Sequence, residues 1–250
     1  MTVVLETVGL IKRFGGITAT DQVSLKVLQG ARHALIGPNG AGKTTLINLL
    51  TGVLSPSAGM IKLNGSDITR LSSEKRVKLG LARTFQINQL FAGLTPLESL
   101  ALVIQERKGH GHCWWKSMGS FAALESEALE LARQFRLSDV LGEPVTGLPY
   151  GKQRQLEIAL AIACRPKVLL LDEPAAGVPE AERQELLESI AALPADVTVL
   201  LIEHDMDIVF RFANRISVLV NGAMLAEGPP EAMVADPRVK AAYLGEAVHD

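Results

Sequence analysis

The sequence predicts an α/β fold built around a phosphate-binding loop, with an antiparallel β segment at its N-terminus and an inserted helical segment. Three observations carry that prediction. The apolar run His33-Ala34-Leu35-Ile36 breaks into Gly37-Pro38-Asn39-Gly40-Ala41-Gly42-Lys43-Thr44-Thr45. A second apolar run, Lys167 to Leu171, ends in Asp172-Glu173-Pro174. Residues 87–165, lying between these runs, are helical in periodicity and carry little strand signal.

Residues 3–28 alternate short apolar stretches with Gly15-Gly16 and polar breaks, as antiparallel strands do. Residues 31–52 read strand, loop, helix, with the helix over Thr44 to Leu50. Residues 60–64 before Gly65 form a strand and turn, and Leu81 to Phe85 a short strand ending at Gln86. Phe121, Leu124, Ala128, Leu131 and Phe135 then share one helical face, as do Leu156, Ala159, Leu160 and Ala163. Strands return at 167–171, 197–202 and 215–220. A helix near 180–193 separates the first two, with Pro179 at its entry and Leu186, Leu187 and Ile190 inward. The expected division is 1–86 for the β subdomain and the first part of the core, 87–165 for the helical subdomain, 166–227 for the rest of the core, and 228–250 for a tail.

Bulk properties exclude several function classes. The formal net charge of -2 gives no global basic field, and 4% aromatic residues offer little base-stacking surface, so no nucleic-acid partner is expected. Cys113 and Cys164 make no disulfide framework and read as reduced thiols. The N-terminal MTVVLETVGL lacks the basic region of a signal peptide. No apolar run approaches the roughly 18 residues of a membrane span, so membrane association is expected only through a partner. His110, His112 and Cys113 lack a second ligand cluster to complete a metal site, and Trp114 and Trp115 read as packing residues.

The loop fits G-x-x-x-x-G-K-[ST], with Gly37, Gly42, Lys43 and Thr44 in register. Glycines let backbone amides approach an anion with no Cβ in the way. Those amides and the helix N-terminus cradle phosphate oxygens. Lys43 adds a point charge, and the Thr44 hydroxyl can ligate magnesium. Asp172 ends a buried strand, where ligands bind in open α/β sheets, and its carboxylate can hold the same cation. Glu173 is the candidate to polarise an attacking water.

Leu148-Pro149-Tyr150-Gly151-Lys152-Gln153, ahead of the Asp172-Glu173 pair, makes a more specific resemblance. The chain resembles ATP-binding-cassette ATPases, which carry a phosphate loop, a glutamine loop, a signature close to LSGGQ, an acidic strand end with Glu, and a late His. Here GPNGAGKTT, RTFQ with Gln86, LPYGKQ, LLLDEP and Leu201-Ile202-Glu203-His204 occur in that order. The resemblance implies a P-loop NTPase core (RecA-like) that hydrolyses ATP with Mg2+. It places Gln86 at the metal and the attacking water, His204 at the γ-phosphate, and Phe14 on the adenine. Phosphate contacts would come from Gly37 to Thr45 and, across a dimer, from Tyr150, Gly151 and Lys152. Thr44, Gln86 and Asp172 would hold the metal.

Partners implied by the resemblance are a second ATPase subunit, identical or paralogous, transmembrane permease subunits and, indirectly, a periplasmic substrate-binding protein. The location implied is peripheral, at the cytoplasmic face of the inner (plasma) membrane. Leu90 and Phe91 are the apolar residues expected to meet the permease.

The chain departs from the family pattern at two places. Pro149 and Tyr150 stand where the signature has Ser and Gly, removing a hydroxyl and an N–H donor. Ala176-Gly177-Val178-Pro179 lacks the usual acidic or amide side chain before its proline. KRFGGITA, LARTFQ, YGKQRQLEIA, DEPAAG and the tail VKAAYLGE resemble the ATPases of branched-chain amino acid importers. Urea-importer and lipopolysaccharide-export ATPases share the form of that tail. Those branches, a soluble non-transport cassette, and a module that binds ATP without cleaving it are the alternatives.

Overall fold

A computed structural model describes residues 2–84, 90–109 and 118–244. The chain divides into two units. The first comprises Met1–Arg83, Lys167–Glu173 and Ala195–Asp250; the second comprises Thr84–Pro166 and Pro174–Pro194.

In the first unit the elements run β1 (Val3–Phe14), β2 (Ile17–Val23), β3 (Lys26–Leu28), β4 (Arg32–Ile36), α1 (Lys43–Thr51), β5 (Ala58–Leu63), β6 (Ser66–Asp67), α2 (Ser73–Lys78) and β7 (Leu81–Arg83). In the second unit α3 (Pro96–Arg107), α4 (Met118–Gln134) and α5 (Tyr150–Ala163) follow. The chain returns to the first unit for β8 (Val168–Asp172), then adds α6 (Glu180–Ala191) to the second. Back in the first unit come β9 (Thr198–Ile202), α7 (Met206–Phe212), β10 (Arg215–Val220), β11 (Ala223–Gly228), α8 (Pro230–Ala235) and α9 (Pro237–Leu244).

Among the described residues the first unit holds a six-stranded sheet ordered β11-β10-β4-β9-β8-β7. All its neighbours pair in parallel except β10 and β11. Parallel strands covered on both faces read as unbroken apolar runs, which is what Leu169 to Leu171 and Val199 to Leu201 are. Side chains alternate across the sheet. Leu35, Leu170 and Leu200 join a core with Leu46 and Leu50 of α1 and with Leu5 and Leu10 of β1. Ala34, Ile36 and Val218 face the other way, toward Val209 of α7, Met233 of α8 and Val239 of α9. The expected N-terminal antiparallel sheet is present as β2-β1-β5-β6 with β3 also on β1. β11 and helices α2, α7, α8 and α9 are additional to the expected elements, and β7 covers Leu81–Arg83, Phe85 lying outside the described residues.

α1 is bounded by two glycines in the left-handed region, Gly42 (φ 99°) and Gly52 (φ 78°). Its C-terminal carbonyls are capped by the fully buried Arg76, whose Nη1 donates to the Leu49 and Leu50 oxygens at 2.6 Å each. The same guanidinium donates to the Leu71 and Thr69 carbonyls. No carboxylate takes part in these bonds; burial draws the Arg76 pKa down, and the carbonyl dipoles at the helix end supply the partner.

In the second unit α3 starts on a capping box, the Thr95 hydroxyl accepting from the Glu98 amide while the Glu98 carboxylate accepts from the Thr95 amide. The expected faces are buried at Leu124, Ala128 and Phe135 and at Leu156, Ala159 and Ala163. α5 begins at Tyr150, with Pro149 as its N-cap. Proline is tolerated there because the first helical turn needs no N–H from it. Contacts group residues 174–194 with these helices. The reason is visible in side chains: Arg136 pairs with Glu188 at 2.7 Å, and the Gly151 amide donates to Glu182 at 2.6 Å.

Candidate functional site

The carboxyl ends of β4, β8 and β9 lie side by side, with Leu35 in register with Ile202 and Asp172 with Ile202 on its other side. Everything that follows these strands therefore emerges at one edge of the sheet. After β4 come Gly37 to Gly42; after β8, Glu173; after β9, Glu203 and His204.

The loop encloses a cavity of about 450 Å3 lined by Asn39, Gly40, Ala41, Gly42, Lys43, Thr44, Thr45 and Glu173. Ile17, Thr18 and Ala19 of β2 and the Asn221-Gly222 turn complete the lining. Gly42 is required where it stands: a Cβ there would overlap the Ala19 carbonyl oxygen, and its φ is left-handed. The Lys43 ammonium spans the loop, donating to the Gly37 oxygen at 2.5 Å and the Pro38 oxygen at 2.9 Å. The β10–β11 turn braces the loop through a bond from the Gly222 amide to the Ala41 oxygen, 2.9 Å. Phe14 is exposed and in register with Ile17, adjoining the cavity wall rather than serving the core.

Glu173 adopts a left-handed backbone, φ 46°, unusual for a side-chain-bearing residue and a form of strain that concentrates at functional positions. Its amide donates to the Ile202 oxygen at 2.9 Å, which holds the turn. The His204 Nδ1 lies 3.9 Å from the Glu173 carboxylate and 3.8 Å from that of Glu203. His204 is exposed, while Glu203 is buried and accepts from the His204 amide at 3.2 Å. Folding thus brings together Gly37 to Thr45, Glu173 and His204. Gln86 lies outside the described residues, as do His110, His112, Cys113, Trp114 and Trp115.

Asp172 is buried and pairs with Arg83 Nη2 at 2.6 Å; Arg83 Nη1 also donates to Asn48 Oδ1 on α1 at 2.7 Å. Sequence inspection missed Arg83, whose only signal was a cation at a strand end in the RTFQ segment. It also missed Glu203 and the Asn221-Gly222 turn. Magnesium takes oxygen ligands and keeps several waters, so one or two protein oxygens suffice. Thr44 lines the cavity and carries such an oxygen, and the Asp172 carboxylate, next to the cavity residue Glu173, is engaged by a cationic group, Arg83. Among the described residues no group of three or more His, Cys, Asp or Glu forms a separate metal site.

The second unit holds the signature segment. Tyr150, half-buried, donates to the Ala176 oxygen at 3.4 Å and accepts from Arg154 at 2.9 Å. Lys152 donates to the Arg136 carbonyl and pairs with Asp139 at 3.2 Å and Glu185 at 3.4 Å. Gly151 is buried at the start of α5.

Comparisons with known proteins agree with this geometry. A family model described as ABC transporter matches residues 20–176, and one described as branched-chain amino acid ATP-binding cassette transporter matches residues 223–249. The chain is 43% identical over 98% of both lengths to a high-affinity branched-chain amino acid transport ATP-binding protein, BraF, of Pseudomonas aeruginosa. It is 40% identical over 96% of both lengths to LivG, a protein of the same description from Escherichia coli K12. Among solved structures, the ADP conformation of MJ1267, an ATP-binding cassette of an ABC transporter, matches with TM-score 0.83 and 30% identity, over 98% of this chain and all of that one. The dimeric cassette MJ0796 shares the fold, with TM-score 0.76 at 22% identity over 90% of this chain and 98% of that one. The chain belongs to the ABC transporter ATPase family. No helix among the described residues is long and apolar enough to cross a membrane.

Proposed function

We propose that this chain is the ATP-hydrolysing subunit of a membrane importer of branched-chain amino acids. The observation that carries the catalytic part is the sheet edge where the phosphate loop and the strained Glu173 line one cavity, with His204 Nδ1 3.9 Å from the Glu173 carboxylate. The substrate class rests on relatives that match along nearly their whole length and on the family match over residues 223–249.

ATP binds with its phosphates against the Gly37 to Thr45 amides and its base toward Phe14 and Ile17. Lys43 exchanges the Gly37 and Pro38 carbonyls for phosphate oxygens. Thr44, Asp172 and Gln86 would hold magnesium, which when bound would supply charge neutralisation at the phosphates. Glu173 orients and polarises the attacking water, and His204 donates toward the γ-phosphate. Catalysis is positioning and charge stabilisation, with no covalent intermediate on the protein. Two cassettes face head to tail, each ATP lying between one phosphate loop and the other subunit's Tyr150, Gly151 and Lys152. Hydrolysis removes the γ-phosphate contacts that favour the closed pair, and opening moves the permease subunits. The protein acts peripherally at the cytoplasmic face of the membrane, served by a periplasmic binding protein.

The test has two arms. Glu173→Gln is expected to keep ATP binding and to lower phosphate release about 100-fold or more, the scale of losing a positioned catalytic group; near-parental turnover refutes the assignment. Deletion of the gene is expected to abolish high-affinity leucine uptake by cells and to leave uptake of unrelated solutes intact. Unchanged leucine uptake removes the substrate class.

A further inference from the structure

The first turn of any helix leaves amide donors without intrahelical acceptors, and the N-terminus carries partial positive charge. In α5 the N-cap is Pro149, and no side chain of its own caps the turn. The missing acceptor comes from a different helix: Glu182, in the first turn of α6, takes the Gly151 amide on its Oε2 at 2.6 Å. Only glycine admits this approach. A Cβ at position 151 would overlap the Glu182 carboxylate and lie 2.9 Å from the Glu182 Cβ. A cavity of about 140 Å3 adjoins the contact, lined by Pro149, Gly151, Lys152, Gln155, Glu182 and Glu185. Its one cation, Lys152, is engaged by Asp139, Glu185 and the Arg136 carbonyl. The amide expected to receive the partner cassette's γ-phosphate is therefore already occupied by an anion, with a second carboxylate beside it.

We propose that Glu182 is an internal stand-in for the γ-phosphate, a carboxylate that fills the signature amide until ATP on the partner subunit displaces it. The inference rests on the head-to-tail arrangement under Proposed function. One N–H makes one strong, linear bond, so carboxylate and phosphate compete for it, and their like charges oppose joint occupancy. The Pro149 substitution explains why a borrowed cap is present: the serine hydroxyl that would cap α5 and then meet phosphate is absent, and α6 supplies an acceptor instead. Glu182 thus sets the ATP concentration at which the cassettes close. ADP, lacking the γ-phosphate, leaves the carboxylate in place.

The experiment uses the assembled transporter, purified from membranes through a tag on this chain, and reads ATP-dependent phosphate release. Glu182→Gln keeps the side-chain length and an acceptor oxygen but removes the charge. It is expected to lower the KM for ATP about fivefold or more, with kcat within about twofold of the parent, because a charge-assisted bond is replaced by a weaker neutral one. Glu182→Asp keeps the charge but is one methylene shorter, and is expected to lower KM as well. A cap that is only structural predicts the reverse pattern, an unchanged or raised KM in both variants with a lowered unfolding temperature, and that result overturns the proposal. A parent complex that shows no ATP-dependent phosphate release fails the underlying functional reading instead, independently of Glu182.

Discussion

Arg83 offers the sharpest test of how the metal side of the site is built. Its guanidinium joins Asp172 of β8 to Asn48 of α1 at 2.6 and 2.7 Å, with the Asp172 side chain 3% exposed and that of Arg83 10% exposed. Removing one member of such a pair strands a buried charge, at a cost of about 3–5 kcal/mol. For a chain of 250 residues that corresponds to a fall of about 6–20 °C in unfolding temperature, at about 2–4 °C per kcal/mol. Arg83→Met is the perturbation, since it keeps most of the side-chain volume. The double variant Arg83→Met, Asp172→Leu removes both charges and is expected to recover most of the loss, because an apolar pair of similar size is often neutral relative to a buried ion pair. Magnesium and ATP bring a cation back to Asp172, so the stabilisation they confer is expected to be larger in Arg83→Met than in the parent. Scanning fluorimetry with and without magnesium and ATP measures all four quantities. An Arg83→Met protein that melts within about 1 °C of the parent without nucleotide shows that the pair is not a structural clamp, since about 3 kcal/mol could not go undetected.

Three further outcomes follow from the geometry. Lys43→Ala removes a charge-assisted donor from the loop and is expected to weaken ATP binding about 10- to 100-fold by calorimetry with helix content unchanged; unaltered affinity refutes the phosphate-loop assignment. Gly42→Ala forces a Cβ against the Ala19 carbonyl at a left-handed φ of 99°, and is expected to cost about 1–3 kcal/mol of stability in urea unfolding together with a loss of ATP affinity. His33, buried and bonded to Ser217 at 2.7 Å, is held down to about 4 from 6.5, because burial outweighs the raising influence of Glu227 while Arg215 adds to the lowering. The unfolded chain therefore takes up the proton first, and stability falls as pH drops from about 6.5 toward about 4, by about 3 kcal/mol in total. In His33→Asn that component of the pH slope is expected to vanish in urea titrations, and identical slopes in the two proteins rule it out.

What could be read from the sequence was whatever chemistry is written in consecutive residues. Gly37 to Thr45 is a single loop between a strand and a helix, and its function follows from its own amides, so the fold places it as expected. Lys167 to Asp172 works the same way, as an apolar run that can only be a buried strand. What escaped reading depends on residues far apart in the chain. Nothing near Arg83 indicates that Asp172, 89 positions later, is its partner. Nothing near Gly151 indicates that its amide is taken by Glu182, 31 positions later. The contacts made by three residues of the expected ATP site share a feature that bears on function. Asp172, Lys43 and Gly151, each expected to touch ATP or its metal, are engaged by groups of this chain with matching chemistry: a guanidinium like the metal cation, backbone carbonyls like phosphate oxygens, a carboxylate like the γ-phosphate. Burying such groups unpaired would be costly, and these partners satisfy them. Binding ATP is then an exchange of partners, and its net strength depends on how much better phosphate and magnesium serve these groups than the present partners do. For that reason variants of Arg83 and Glu182, neither placed against the nucleotide, are expected to change ATP-linked behaviour.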